Sequence, residues 1–312
     1  MDRAQNEQGL LRRFLIYQSE RFPFLTHGLM ISVFTFAAYS YSLSSRGGDL
    51  TIPWRDLAIG IIITVTLFFL VRVFDEFKDH EDDVKYRAYL PVPRGLISLK
   101  ELGWIAWGVI VIQIYLVGLH QSRMLPLYLL VLGYLLLMRV EFFCPAWLKE
   151  KQLLYITSHM VIIPLIDLYA SGLDWRLDAI LPHQGILWFI IVSYFNGIAL
   201  EFGRKIRTPE TEEPGVVSYT SLYGTRGGVI IWVAITFVTM CFALIAGWQA
   251  GFHSLLYPLL VVSFVLCTLP GWQFLKTPTA KRASSIEKTS GVWTILMYLL
   301  LGIFPIVEQA WS

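Results

Sequence analysis

The sequence is short of charge and of cysteine. Only 15% of its 312 residues are Asp, Glu, Lys or Arg, too few to clothe a soluble domain of that length. The formal net charge is +2 and there is no basic tract, so nothing is built to follow a nucleic-acid backbone and no nucleic-acid partner is expected. The three cysteines, Cys144, Cys241 and Cys267, lie in or beside apolar runs without CxxC spacing. They give neither a zinc site nor a disulfide framework and read as reduced, buried small hydrophobes. P-loop, GxGxxG, HExxH and Ser-His-Asp spacings are missing, as is any repeat of solenoid type, which removes the commonest nucleotide, zinc-protease and hydrolase chemistries. The first residues lack the charged, apolar and cleavage regions of a signal peptide.

Apolar sequence is plentiful: 55% of residues are hydrophobic, gathered into runs long enough to cross a bilayer. These lie at about 24–45, 54–74, 98–118, 124–140, 152–171, 184–201, 227–248, 252–275 and 290–309. The reading is therefore an all-α, polytopic membrane protein of about nine transmembrane helices, with Pro164 and Pro305 kinking two of them. Ahead of them, Leu10, Leu11, Phe14 and Leu15 can share a face opposite Arg12, Arg13 and Arg21. This predicts an interfacial segment over 1–23, the alternative being a disordered basic tail, followed by a single transmembrane domain over 24–312. With the N-terminus cytoplasmic, the loop lysines and arginines gather on that side, leaving Arg46, Arg55, Arg123 and Arg176 on the other. A multi-pass protein of a bacterial inner (plasma) membrane is expected.

The charge that exists is concentrated. Asp75 to Gly95 reads DEFKDHEDDVKYRAYLPVPRG, directly after the second run. Asp75, Asp79 and Asp83 recur every four residues, so a continuing helix carries them on one face. Like charges at that spacing repel, which predicts a bound cation. Lys78, Lys85 and Arg87 are interleaved with the acids, and carboxylates beside cations suit a magnesium-bridged diphosphate. The plain alternative is a solvated acidic loop capping a membrane helix. Arg72, one turn earlier, can pair with Asp75, reach a phosphate, or only snorkel.

This stretch resembles the first signature of the UbiA superfamily of intramembrane prenyltransferases, Asn-Asp-x-x-Asp-x-x-x-Asp followed by an Arg and a Pro-x-Pro-[Ser/Arg]-Gly turn. Asp75 stands for the Asn, Glu76 for the first Asp, and Asp79 and Asp83 for the others. Arg87 and Pro91-Val92-Pro93-Arg94-Gly95 continue the match. The resemblance implies nine helices around a central, lipid-open cavity, cytosolic acidic motifs and Mg2+ as cofactor.

A second polar stretch follows the sixth run: Asn196, Glu201 and then FGRKIRTPETEEPGVVSYTSLYGTRGG. The family's second motif carries further aspartates and then a Gly-Val-x-[Thr/Ser]-[Leu/Tyr] tail. Gly215, Val216, Ser218, Tyr219 and Gly224 match the tail. The acids do not match. Glu201 keeps a carboxylate, but Lys205 and Thr208 stand where the central acids belong, with only Glu210, Glu212 and Glu213 after them. Either Arg204, Lys205 and Arg207 replace a metal as fixed cations on the diphosphate, or they are positive-inside residues of a degraded site. Tyr194 and Phe195, before Glu201, are candidates to shield an allylic cation. Asn196 is a ligand or a helix–helix hydrogen-bond partner. His159 and Asp167 are costly polar groups inside the fifth run, with Asp167 expected near its far interface.

The resemblance implies transfer of a prenyl group from a prenyl diphosphate to an aromatic or other lipophilic acceptor in the bilayer. Asp75, Asp79 and Lys205 are expected to carry the chemistry with Asp83. Asp75, Asp79, Asp83 and Glu201 are the expected metal ligands. Arg72, Lys78, Arg87, Arg94, Tyr194, Phe195, Asn196, Glu201, Arg204, Arg207 and Tyr219 are the expected substrate contacts. Two other readings stay open: a terpene cyclase of the same superfamily, and a lipid-diphosphate-binding or transport-associated protein without turnover.

Overall fold

The computed structural model describes residues 9–48, 52–212, 215 and 217–309. Glu213 and Val216, named in the second motif, and the start of the expected interfacial segment lie outside them. The described secondary structure is helix throughout, without a strand. In chain order it runs α1 (Leu10–Arg21), α2 (Phe24–Ser45), α3 (Trp54–Lys78), α4 (His80–Tyr86), α5 (Leu99–His120), α6 (Leu125–Arg139) and α7 (Pro145–Glu150). It continues through α8 (Gln152–Met160), α9 (Ile162–Trp175), α10 (Gly185–Arg204), α11 (Tyr219–Gln249), α12 (Leu256–Lys276), α13 (Ala280–Tyr298) and α14 (Phe304–Gln309).

Eight stretches among the described residues are long and apolar enough to cross a membrane, and a ninth is counted if α1 and α2, bent by 56°, form one span. The chain is thus a polytopic membrane protein. Helix α3 has 25 residues and is about 38 Å long, more than the ~30 Å hydrocarbon core needs. Its surplus is the charged turn Arg72–Lys78.

The breaks have local causes. Pro164 cannot donate to the carbonyl of Met160 and crowds it, and α8 ends at Met160. Pro305 stands likewise to Leu301, inside the widened π-turn Leu299–Ile303 that joins α13 to α14. Helix α5 starts on a complete capping box, Ser98 with Glu101. Two helices begin earlier than their apolar runs. Helix α11 starts at Tyr219, capped by Ser218, and α13 at Ala280, capped by Thr279. Polar first turns, held by these caps, were invisible to a hydropathy reading.

The chain divides into two compact units. The first comprises the described residues up to Thr35 with Pro53–Gln152, and the second Phe36–Ile52 with the described residues from Leu153 onward. In the first, α1 is fastened by three arginine–carboxylate pairs: Arg13–Glu101 at 2.6 Å, Arg21–Glu76 at 2.7 Å and Arg94–Glu20 at 2.7 Å. Phe14 and Phe22 add edge contacts with Phe69. The second is centred on Phe202, Tyr219, Trp232, Phe274 and Ile286. There, a side chain at Gly203 would overlap Ser290 Oγ, so the close approach of α10 and α13 beside Arg204 requires glycine. Trp232 Nε1 donates to the same hydroxyl at 2.9 Å.

Candidate functional site

In the first unit the acidic stretch is helical as far as Tyr86. Asp79 joins α3 to α4, and its N–H still donates to the Asp75 carbonyl at 2.9 Å while its own carbonyl accepts from the Asp83 N–H at 2.8 Å. The four-residue period therefore persists, yet the three carboxylates have different fates. Asp75 pairs with Lys78 at 3.1 Å and lies 3.8 Å from Arg72. Asp79 has Lys78 at 4.0 Å. Asp83 is buried and takes Arg87 at 2.5 Å. Much of the cation expected from like-charge repulsion is supplied by the chain's own side chains.

Asp75 and Asp79 keep 29% and 38% of their side-chain surface exposed. The Asp79 carboxyl is pushed up to about 6 by burial, partly offset by Lys78. Burial raises Asp83 as well, against the pull of Arg87. Glu76, at the place of the family's first Asp, is only 1% exposed, and its Oε1 accepts from Arg21 Nε at 2.7 Å and Arg72 Nη2 at 2.9 Å. Arg94 is occupied in a two-pronged pair with Glu20, at 2.8 and 2.7 Å, and donates to the Tyr89 carbonyl at 2.9 Å.

Among the described residues no three acidic, histidine or cysteine side chains stand close enough to hold a metal ion, so Asp75, Asp79 and Asp83 do not converge as a ligand triad. Magnesium, however, is commonly held by one or two carboxylates, with phosphate oxygens and water completing its shell. Asp75 and Asp79, exposed and one turn apart, fit that role. Asp83, committed to Arg87, does not.

In the second unit the expected residues surround the end of α10. Glu201 is neutralised from its own helix and the next residue, by Arg204 at 2.6 Å and Lys205 at 2.9 Å. The following loop is built rather than loose. The Tyr219 N–H donates to the Lys205 carbonyl at 3.0 Å, and the Arg207 guanidinium donates to the Thr211 carbonyl at 3.3 Å. Thr208, in place of a central acid, is buried. Tyr219 stacks on Phe202 with ring centroids 3.7 Å apart, and Lys205 Nζ lies 5.8 Å from its centroid. Farther along α10, the Tyr194 hydroxyl donates to the Thr157 carbonyl at 3.1 Å and Phe195 stacks on Phe242. Asn196 is buried, its Oδ1 without a partner. Asp167 is not at a helix end: it is buried, accepting from the Ser193 and Tyr298 hydroxyls, a polar knot between α9, α10 and α13.

Sequence reasoning missed two participants in the first unit. Arg21 reads from the sequence as part of the polar face of a surface helix, but reaches a carboxylate 55 residues away. Glu141 carries no signal in the sequence. It opens a turn in which Glu141, Phe142 and Phe143 have φ of 47°, 54° and 61°, a left-handed run that costs L-residues roughly 1–2 kcal/mol each.

The profile of the UbiA prenyltransferase family matches residues 29–306. No curated protein matches the chain by sequence. Among solved structures, one of a digeranylgeranylglyceryl phosphate synthase is similar with a TM-score of 0.65 at 14% identity, over 95% of this chain and 99% of that one. The apo structure of a UbiA homolog from Aeropyrum pernix K1 gives 0.63 at 15% identity, over 90% and 98%. At these identities the structural likeness carries the fold alone.

Proposed function

Because this chain belongs to the UbiA prenyltransferase family, we propose that it ionises a prenyl diphosphate and transfers the prenyl group to an aromatic or other lipophilic acceptor within the membrane. The observation that supports this most is the pairing of two half-exposed carboxylates, Asp75 and Asp79, with Lys78 between them at the end of a membrane-length helix. Asp75 and Asp79 would hold Mg2+, which supplies divalent charge to the diphosphate oxygens. Lys78 and Arg72 border the same turn and supply permanent positive charge there. Positive charge fixed where the leaving diphosphate develops negative charge favours the transition state over the bound substrate. Asp83 acts through Arg87, whose guanidinium it holds at the end of α4. The positive-inside pattern supports placing this motif at the cytoplasmic face of the membrane.

The test is diphosphate release by the purified protein with geranyl, farnesyl and geranylgeranyl diphosphates, with mass spectrometry of the lipid extract in the presence and absence of aromatic acceptors. Release is expected with magnesium and is expected to be lost in EDTA. Activity indifferent to EDTA would remove the role of Asp75 and Asp79. A ring-closed terpene formed without acceptor would make the protein a cyclase.

One observation favours a reading without turnover: the Glu201 carboxylate is already neutralised by Arg204 and Lys205, leaving the second motif without an available acid at that position. In the catalytic reading these cations substitute for a metal. Lys205→Met is then expected to lower release by up to about 10²–10³-fold, the loss that follows removal of one preorganised electrostatic contact. Substrate binding without release in the wild type would instead identify a prenyl-diphosphate-binding protein.

A further inference from the structure

Helix α5 starts beside a cavity of about 430 Å³ in the first unit. The lining is mostly apolar, with Val92, Ile97 and Leu99 as its wall, and it is polar at Ser98, Lys100 and His80. The first N–H groups of a helix have no acceptor within the helix. That of Glu101 is held by Ser98 Oγ at 3.2 Å, whereas no acceptor takes that of Leu99 or Lys100 among the described hydrogen bonds. The Lys100 side chain is exposed and makes no ion pair with another described residue. His80 Nδ1 is buried without a partner. The acid of this first turn does not cancel these groups. Arg13 donates to both oxygens of Glu101, at 3.0 and 2.6 Å, and the Ser98 N–H to Oε2 at 2.9 Å. What remains is net positive: two open N–H groups, an ammonium, and the positive end of a 22-residue helix.

The same face of α5 continues into lipid. Lys100, Trp104, Trp107, Val111 and Tyr115 follow one another at steps of three and four residues. The two indoles are 66% and 62% exposed, and Val111 and Tyr115 are exposed as well, on a helix long and apolar enough to cross a membrane. Exposed Trp on a spanning helix marks the head-group level, so Lys100, one turn nearer the helix end, stands where lipid phosphates lie. We infer that the cavity is a lipid site that takes the head group of an anionic phospholipid. Its phosphate accepts from the N–H groups of Leu99 and Lys100 and pairs with the Lys100 ammonium, while its glycerol and first acyl carbons cover Val92, Ile97 and Leu99. A soluble phosphate would meet the donors and leave the apolar wall in water. A choline head group would bring its own cation toward Lys100. Because Val92, Gly95 and His80 line the same cavity, a bound lipid braces the turn Pro91–Gly95 against the start of α4. The site requires a membrane and does not depend on the prenyl-transfer reading.

The experiment is native mass spectrometry of the full-length protein in detergent, titrated with phosphatidylglycerol, with phosphatidylcholine of the same acyl chains, and with sn-glycerol 3-phosphate. The wild type is expected to retain one phosphatidylglycerol about tenfold more tightly than phosphatidylcholine and to ignore the soluble ester at the same concentrations. Lys100→Glu should weaken that binding roughly tenfold. Leu99→Trp, which fills the wall and leaves the charge, should weaken it as much. Lys281→Glu reverses an exposed charge at the start of α13 in the second unit and should stay within about twofold of wild type. Lys100 is exposed, so its substitution keeps the fold even if the larger Leu99→Trp does not. As a second readout, phosphatidylglycerol should raise the melting midpoint of the wild type and of Lys281→Glu, and leave that of Lys100→Glu where it is. Equal losses in Lys100→Glu and Lys281→Glu would reduce the effect to diffuse attraction by a positive surface. Undiminished binding by Lys100→Glu, or phosphatidylcholine held as tightly as phosphatidylglycerol, would overturn the site. Displacement of the lipid by glycerol 3-phosphate would make it a site for a soluble phosphate and overturn the lipid assignment.

Discussion

Asp79→Asn is expected to lower diphosphate release by about 10²–10³-fold, the range seen when one preorganised electrostatic contact to a developing charge is removed, and to leave the fold intact. The side chain makes no capping bond to either helix that meets there. The backbone bonds through Asp79, from its N–H to Asp75 and from the Asp83 N–H back to it, do not involve the carboxylate. Asparagine keeps the shape and removes only the charge. Lys78, at 4.0 Å, loses its more distant partner but keeps Asp75 at 3.1 Å. Since the charge matters most as the diphosphate departs, the rate constant for release should fall further than the affinity for a non-ionising thiodiphosphate. Glu81→Gln makes the same change of charge on an exposed face of α4 and should stay within about twofold of wild type, because exposed charges are screened by water and salt. Wild-type release from Asp79→Asn, with the lipid product unchanged, would end the role assigned to this carboxylate.

The architecture was legible because a bilayer enforces it: a run of some twenty apolar residues has few other uses. Membership of the UbiA family, shown by the match over 29–306, was legible in one charged turn with its trailing Pro91–Gly95. What the sequence concealed were contacts fixed by tertiary structure. The period of Asp75, Asp79 and Asp83 suggested three equivalent ligands, but periodicity places side chains on a face without saying what else reaches it. Arg87, one turn after Asp83, takes that acid out of the set. The span at 24–45 reads as an independent membrane crossing, whereas the structure counts it only together with α1 across a 56° bend. The left-handed turn at Glu141 has no sequence signature, since such backbone is signalled by glycine or asparagine and this one is built from Glu and two Phe. The polar knot at Asp167 was missed for a related reason: its partners, Ser193 and Tyr298, are distant in the chain and ordinary in composition.

Glu76→Ala is expected to destabilise the protein by about 3 kcal/mol, the lower end of the range for breaking a buried ion pair. Two guanidinium groups converge on one oxygen of a carboxylate that is 1% exposed, so the substitution strands both while opening a small void. The estimate stays at the lower end because Arg21 and Arg72 keep 15% and 25% of their side-chain surface, and water recovers part of what they lose. Arg72 also has Asp75 at 3.8 Å to turn toward, whereas no other carboxylate contact appears for Arg21 among the described ion pairs. The larger part of the loss should therefore come from Arg21. Helix α1 should not simply come away, because Arg13–Glu101, Arg94–Glu20 and the contacts of Phe14 and Phe22 with Phe69 still hold it. The damage should register as a melting midpoint several degrees lower for the whole detergent-solubilised protein, with no selective proteolysis of α1. Pairing Arg21→Met with Glu76→Met should recover much of the midpoint, since replacing both members of a buried pair by apolar groups of similar length removes the stranded charge as well as the bond. A double variant as unstable as Glu76→Ala would mean that Arg72, rather than Arg21, is the partner on which the packing of this charged turn depends.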